Sequence, residues 1–235
     1  MRILLAVATS ADGLQAKEVA RQFGLSLPTA YHLLNTLDSE GMLFKDERRR
    51  YLIGPKASVI ADAFNRSNTV PERYLKSLHY LADTTGETAY LSAWRRGEIV
   101  VLATVEGSQA VRVVGLTEGY SENIHARASG KLLLAYAPEE IREQTVKSLV
   151  LRRLTDTTIT SKAALRRELD GVRAEGIAFD RQEFREGVEC VSAPIRDEGK
   201  VVACFTVSTP AARFAKESAR ITEELRRAAG MASSD

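Results

Sequence analysis

The chain predicts an α+β protein in two parts: a winged helix-turn-helix, then a larger domain with a mostly antiparallel sheet flanked by helices. Three observations carry this. Two apolar stripes of helical period stand a few residues apart in the first forty residues. Short apolar runs then flank a charged KDERRR segment, as in a hairpin. Beyond Glu72, strand-like runs come in pairs separated by amphipathic stretches, which is the order of an antiparallel sheet with helices rather than of a βαβ repeat.

In chain order, Ile3, Leu4, Leu5 and Val7 make a short helix that Asp12 and Gly13 break. Ala16, Val19, Ala20 and Phe23 follow at i, i+3, i+4, i+7, and Gly24 stands where a helix C-terminus favours glycine. Ser26 is a good N-cap, with Pro28 in the first turn, where its missing N–H costs nothing. Ala30, Leu33, Leu34 and Leu37 repeat the stripe until Gly41. At about 100° per residue, Pro28, Tyr31, His32, Asn35 and Ser39 fall on the opposite face, free to enter a major groove. Met42–Phe44 and Tyr51–Ile53 form the wing, whose Arg48, Arg49 and Arg50 would meet phosphates or the minor groove. This first domain spans 1–56; a linker of helix (Ala57–Phe64) and turn (NRSNTVP) spans 57–71.

The domain over 72–235 opens with an amphipathic helix, Arg73–Asp83. ETAYLSAW and EIVVLATVE pair across Arg95, Arg96 and Gly97, and AVRVV reads as a further strand. Helices are expected over Ala128–Ala137, from Pro138, and over Ser161–Glu175, where Gly176 stops the last. GIAFD, ECVSAPI and VVACFTVS read as strands, the last two joined across RDEGK, and Arg213–Ala229 closes the chain as a helix.

Composition bounds the function. The 235 residues carry 33 Lys+Arg against 31 Asp+Glu, so any nucleic-acid contact must come from a local arrangement rather than an overall positive coat. MRILLAVA is too short for a membrane span or a complete signal peptide, so a cytoplasmic protein without membrane partners is expected. Cys190 and Cys204 lack metal or redox spacing and read as reduced, buried thiols. No P-loop, Rossmann or zinc signature occurs, and no cofactor is expected. Two readings compete. In one the helix pair binds double-stranded DNA as a symmetric dimer, with Ser26, Pro28, Thr29, Tyr31, His32 and Asn35 at bases or backbone. In the other Cys190, His125 and Asp180 are the nucleophile, base and orienting acid of an enzyme. A metabolite-sensing interaction module is a third possibility.

The order of segments resembles the IclR family of bacterial transcriptional regulators over essentially the whole chain. The matching stretches are EVARQFGLSLPTAYHLLNTLDSEGML, YLIG, TGETAYLS, IHARASGKLLLAY, RLTDTTIT, GIAFDRQEFREGVECVSAPI and VSTPAARF. The resemblance implies a GAF/profilin-like effector domain, a dimer or tetramer on a palindromic operator, and a small organic or aromatic acid as effector. It places the effector near Ala128, Ser129 and Gly130, whose N–H groups open a helix, and near Asp180, Cys190, Thr206 and Ser208. The chain departs from the family's pattern at Leu27, at His32 and at Arg127, where a small hydroxylated residue is usual. Arg127 either supplies a charge partner for a more acidic effector or points away and is structural. The family also has residues ahead of its first helix, whereas this chain begins at Met1 almost inside it.

Overall fold

The computed structural model describes residues 1–67, 70–114 and 116–234, and it divides into two compact units, Met1–Thr69 and Val70–Asp235. The first contains α1 (Arg2–Ala8), α2 (Ala16–Phe23), α3 (Leu27–Ser39), β1 (Leu43–Lys45), β2 (Tyr51–Ile53) and α4 (Ala57–Ser67). A capping box starts α2: the Glu18 carboxylate accepts the Gln15 backbone N–H at 2.7 Å. Gly24 ends it at φ 64°, a left-handed conformation that glycine adopts without a Cβ penalty. Ser26 caps α3 by accepting the Thr29 N–H at 3.3 Å. Val7, Ala16, Val19, Ala30, Leu34, Leu43 and Tyr51 form the core of this unit. Leu14 exchanges two backbone hydrogen bonds with Tyr51, of 3.0 and 2.8 Å, and so adds a third rung to the β1–β2 ribbon.

Two details differ from the expectations. Leu33 remains 38% exposed, because it sits about 60° around the helix from Ala30, at the margin of a stripe centred on Ala30, Leu34 and Leu37. The α4 helix continues through Asn65 to Ser67, since no glycine or proline interrupts it before Pro71. Asn68 and Thr69, also part of the expected turn, lie outside the described residues.

The second unit contains α5 (Glu72–Thr85), β3 (Thr88–Arg95), β4 (Glu98–Val105), α6 (Ala128–Ala135), α7 (Glu139–Ser148), α8 (Lys162–Glu175), β5 (Ala178–Arg181), β6 (Val188–Asp197), β7 (Lys200–Pro210) and α9 (Ala211–Ala232). Its sheet has the order β4-β3-β7-β6-β5 and is antiparallel throughout. Alternation sorts the side chains: Ala89, Leu91, Val191, Ala193, Phe205 and Val207 face α5 and α9, which cover them with Leu78, Leu81, Ile221 and Leu225. Each large apolar side chain buried there contributes about 1.5–3 kcal/mol. Leu132, Leu165 and Leu169 pack α6 and α8 with Ile99, Ala178 and Cys204 of the sheet. Among the described residues no helix is long and apolar enough to cross a membrane.

AVRVV is not a strand. Residues 110–114 form an irregular strap with Val111 71% and Val114 61% exposed. Side chains hold it instead of a ladder: Thr88 Oγ1 donates to Val113 O (2.8 Å), Arg213 Nη2 to Val111 O (2.6 Å) and Arg185 Nη1 to Val114 O (3.1 Å). The free edge of β4 is taken further along, where Val101 bonds Tyr120 and Gly119.

The start of α6 is wedged against a passing chain. A Cβ on Gly130 would stand 2.1 Å from Ile124 O, whereas one on Gly171, inside α8, would meet nothing within 4 Å. Gly130→Ala is therefore expected to cost about 3 kcal/mol or more. Gly171→Ala should instead gain about 0.5–1 kcal/mol from helix propensity. Urea midpoints of the two variants, moving in opposite directions from wild type, check this.

Candidate functional site

The first candidate surface is the outer face of α3. Ser26, Pro28, Thr29, Tyr31, His32, Asn35 and Ser39 are all exposed. Some of their polar atoms are already engaged. Ser26 Oγ serves as the cap and lies 2.7 Å from Thr29 Oγ1. Asn35 Oδ1 accepts the Tyr51 hydroxyl at 2.7 Å, so the buried tyrosine fixes which end of the amide is bonded and leaves its N–H groups as donors. Lys45 holds its ammonium 5.7 Å from the Tyr31 ring centroid and 5.4 Å from that of Tyr51. Lys45, Tyr31, Tyr51 and Asn35 thus tie the wing to α3.

At the wing tip Arg48 and Arg49 are exposed, and Arg49 takes φ 60° to make the turn. Arg50 does something else. Its Nε donates to Asp12 O at 2.6 Å and its Nη2 to Gly13 O at 2.7 Å, with the Glu18 carboxylate at 3.5 Å. Arg50 therefore braces the wing against the turn before α2 rather than standing free for a phosphate, a correction to its expected role. The signal was available: Arg50 precedes the residue that pairs with Leu14, which puts it beside Gly13.

The second candidate is a cavity on the sheet face opposite α5 and α9. Antiparallel register makes Thr88, Ser208, Cys190 and Asp180 successive partners across β3, β7, β6 and β5, so their side chains share one face. Those four, with Tyr90, Val113, Leu116, Arg127, Phe184, Arg185 and Val188, line a partly enclosed space of about 30 Å³. Of the expected residues it brings together Arg127, Asp180, Cys190 and Ser208. Thr206 lies one rung further, buried and bonded at 2.5 Å to Ser192 Oγ. Ala128, Ser129 and Gly130 are buried in the first turn of α6 but do not line the space. Thr88 and Tyr90 were missed, although the alternation in ETAYLS already puts them on one face.

The chemistry of the lining follows from burial. Cys190 Sγ lies 3.2 Å from Ser208 Oγ, and burial together with the neighbouring Asp180 pushes the thiol well up. Asp180 is pushed up to about 7 by burial, although its Oδ1 accepts the Glu183 and Phe184 N–H groups at 2.7 and 3.2 Å. His125 is engaged elsewhere: its Nε2–H donates to Arg152 O at 3.0 Å, and burial lowers its pKa, favouring the neutral ring. Cys190 is therefore neither activated nor joined to His125, contrary to what the enzyme reading requires. Arg127 is 1% exposed, with Nη2 donating to Ile99 O at 3.1 Å and the guanidinium 5.2 Å from the Tyr120 ring centroid. Its Nε and Nη1 have no hydrogen-bond partner among the described residues.

The turn after β5 is held by groups that sequence reasoning passed over. Thr155 Oγ1 donates to Gln182 O at 2.7 Å and Thr158 Oγ1 to Glu183 O at 2.6 Å, so RLTDTTIT clasps the turn that carries Asp180. Lys131, fully buried, reaches Glu183 Oε1 at 2.5 Å and Glu168 Oε1 at 3.0 Å. Among the described residues no group of three His, Cys, Asp or Glu could hold a metal ion.

Known proteins resemble the chain in both units. The family models for the IclR helix-turn-helix domain and for the bacterial transcriptional regulator IclR C-terminal match residues 1–47 and 66–234. The chain is 33% identical over 205 residues to the HTH-type transcriptional regulator BhcR of Paracoccus denitrificans, covering 86% of this chain and 73% of that protein. It superposes on the IclR of Thermotoga maritima with TM-score 0.74 at 28% identity, covering 98% of this chain and 94% of that one. It also shares its fold with an IclR homologue from Microbacterium hydrocarbonoxydans complexed with 4-hydroxybenzoate (TM-score 0.71, 22% identity, 99% and 95% covered). The chain belongs to the IclR family: it is a transcriptional regulator with a helix-turn-helix DNA-binding domain and an IclR C-terminal effector domain.

Proposed function

We propose that the operator affinity of this regulator is set by a small organic or aromatic acid bound in the cavity of the second unit. The observation that carries the reading is the polar rung of Thr88, Ser208, Cys190 and Asp180, closed over by the strap and by a buried arginine. An apolar-walled space with a few convergent polar groups is the usual form of a small-molecule site. The Microbacterium homologue complexed with an aromatic acid supports the ligand class. The volume of about 30 Å³ accommodates about two water molecules, so an effector enters only with movement of the lining, to which the strap contributes Val113. A ligand shifts DNA affinity only through unequal affinity for two arrangements of the protein, and the strap is the element whose position it would change.

On DNA, a symmetric dimer or tetramer lays α3 in the major groove of a palindromic operator. Thr29, Tyr31, His32 and Asn35 meet bases or backbone there, Ser26 and Pro28 fix the start of the helix, and Arg48 and Arg49 meet phosphates. The protein acts in the cytoplasm and is not an enzyme; the unactivated thiol of Cys190 and the regulator names of its relatives support that. Gel shifts on the chain's own upstream DNA, with and without candidate acids, test the whole reading; identical shifts in every lane would remove the effector from it.

Two predictions follow from these assignments. Replacing Arg48 and Arg49 by Ala should weaken all duplexes alike and, with two wings on each dimer site, reduce the slope of log K against log salt by about 4. Arg50→Ala should chiefly lower the melting temperature, because it removes the wing's brace; calorimetry beside salt titration separates the two.

Asp180 makes the unliganded protein's stability pH-dependent. Its folded pKa is raised, so the native state keeps a proton that the unfolded chain releases, and stability falls as pH climbs from the ordinary carboxyl range toward about 7. Asp180→Asn retains the Oδ1 acceptor for Glu183 and Phe184 but has no charge to bury. The difference in urea midpoint between variant and wild type should therefore shift in the variant's favour from pH 5 to pH 8; a constant difference refutes the assignment.

A further inference from the structure

Arg127 is the largest fully buried side chain of the protein and it lines the cavity, yet most of its donors are unused. A guanidinium has five N–H donors; here Nη2 bonds Ile99 O, while Nε and Nη1 are buried without a partner. Leaving such a group unsatisfied costs stability, and the Tyr120 ring face recovers only part of it. The position makes matters worse. Arg127 is the N-cap of α6, where the helix dipole already contributes positive potential. The other cation in that turn, Lys131, is matched by Glu168 and Glu183. Arg127 has no carboxylate partner among the described residues. Asp180 lines the same space, but its Oδ1 is held by the backbone of Glu183 and Phe184 and no ion pair joins it to Arg127. The cavity lining thus combines a cationic donor, Arg127, with acceptors on Asp180, Ser208 and Thr88. Arg185 adds a second positive group at its exposed rim.

We propose that Arg127 is the specificity-determining residue of this cavity, reserved for a carboxylate of the effector, and that the rung of Thr88, Ser208 and Asp180 receives a hydroxyl donor at the ligand's other end. The class selected is a hydroxy acid, and its neutral amide is rejected. The inference rests on the acid-effector reading above and sharpens it: the anion pairs with an arginine standing where the family resemblance implies a small hydroxylated residue, rather than with the N–H groups of Ala128, Ser129 and Gly130, which do not line the space. A planar fork against a planar carboxylate accounts for arginine here rather than lysine.

The test uses the full chain, titrated calorimetrically with glycolate, lactate and 4-hydroxybenzoate and with the primary amide of each. Wild type, Arg127→Gln and Arg127→Lys are compared, and the melting temperature of each is recorded without ligand. At least one acid should bind wild type ten times or more tightly than its amide. In Arg127→Gln that ratio should fall to near one, and Arg127→Lys should lie between. Unliganded Arg127→Gln should melt no lower than wild type, since it deletes an orphaned charge; a purely structural arginine would give the opposite. Equal acid affinity in wild type and Arg127→Gln, or a large drop in melting temperature for Arg127→Gln, overturns the proposal while leaving the effector reading in place. If none of the three acids binds wild type or alters its gel shift, the acid-effector reading fails and this proposal fails with it.

Discussion

The second unit is organised around one costly choice, the burial of a polar rung on one face of its sheet. Thr88, Ser208, Cys190 and Asp180 are brought into line by backbone register alone, and each would be content in water. The opposite face, with Leu91, Val191, Phe205 and Val207 beneath α5 and α9, is an ordinary apolar core that supplies the stability. An antiparallel sheet tolerates this division because successive residues point to opposite sides, so one strand serves packing and chemistry at once. The remaining features of the unit then have a common purpose. The strap over 110–114, the threonine clasp and the α6 turn seated on Ile124 all cover or position that rung.

This explains what could be read from the residues and what could not. Helices with caps and stops were plain, as at Ser26, Gly24, Ser161 and Gly176, because capping is a local transaction between neighbours in sequence. Strands over GIAFD, ECVSAPI and VVACFTVS were equally plain from alternation. AVRVV misled because β-branched composition reports compatibility with a strand, whereas a strand exists only if an edge is free to receive it. Here β4 spends part of that edge on Gly119 and Tyr120. Arg127, Asp180, Cys190 and Ser208 could be nominated from the family resemblance, but their convergence is a matter of register, which separated segments do not reveal. Lys131 with Glu168 and Glu183 was invisible for the same reason: 37 and 52 residues separate the partners.

Arg48, Arg49 and Arg50 show how adjacent identical residues divide their labour. On a hairpin tip, a charge run usually means solvated side chains, and Arg48 and Arg49 conform. Arg50 stands next to the ladder residue Tyr51, and that single step in register carries its guanidinium onto the carbonyls of Asp12 and Gly13. Two successive carbonyl acceptors suit a guanidinium fork, so the third arginine stabilises the platform on which the other two are displayed. Tyr51 plays a matching part from inside, anchoring Asn35 while its ring accepts Lys45.

Buried charge offers the sharpest contrast within the molecule. At one turn of α6, Lys131 has two carboxylates within 3.0 Å and is sealed from water, which is how a protein ordinarily makes an interior cation tolerable. Arg127, four residues earlier, is sealed just as thoroughly and has a carbonyl and an aromatic face but, among the described residues, no anion. Packing that excludes water so completely around an incompletely bonded cation stores free energy in the empty protein, and whatever supplies the missing acceptors recovers it on binding. Burial also raises the pKa of Asp180 to about 7, so near neutral pH its carboxylate only partly offsets the positive charge of Arg127, and an added anion moves the cavity toward balance. Instability in the free state and affinity in the occupied one are therefore two aspects of a single arrangement. The well-packed face beneath α5 and α9 is what allows the protein to sustain it.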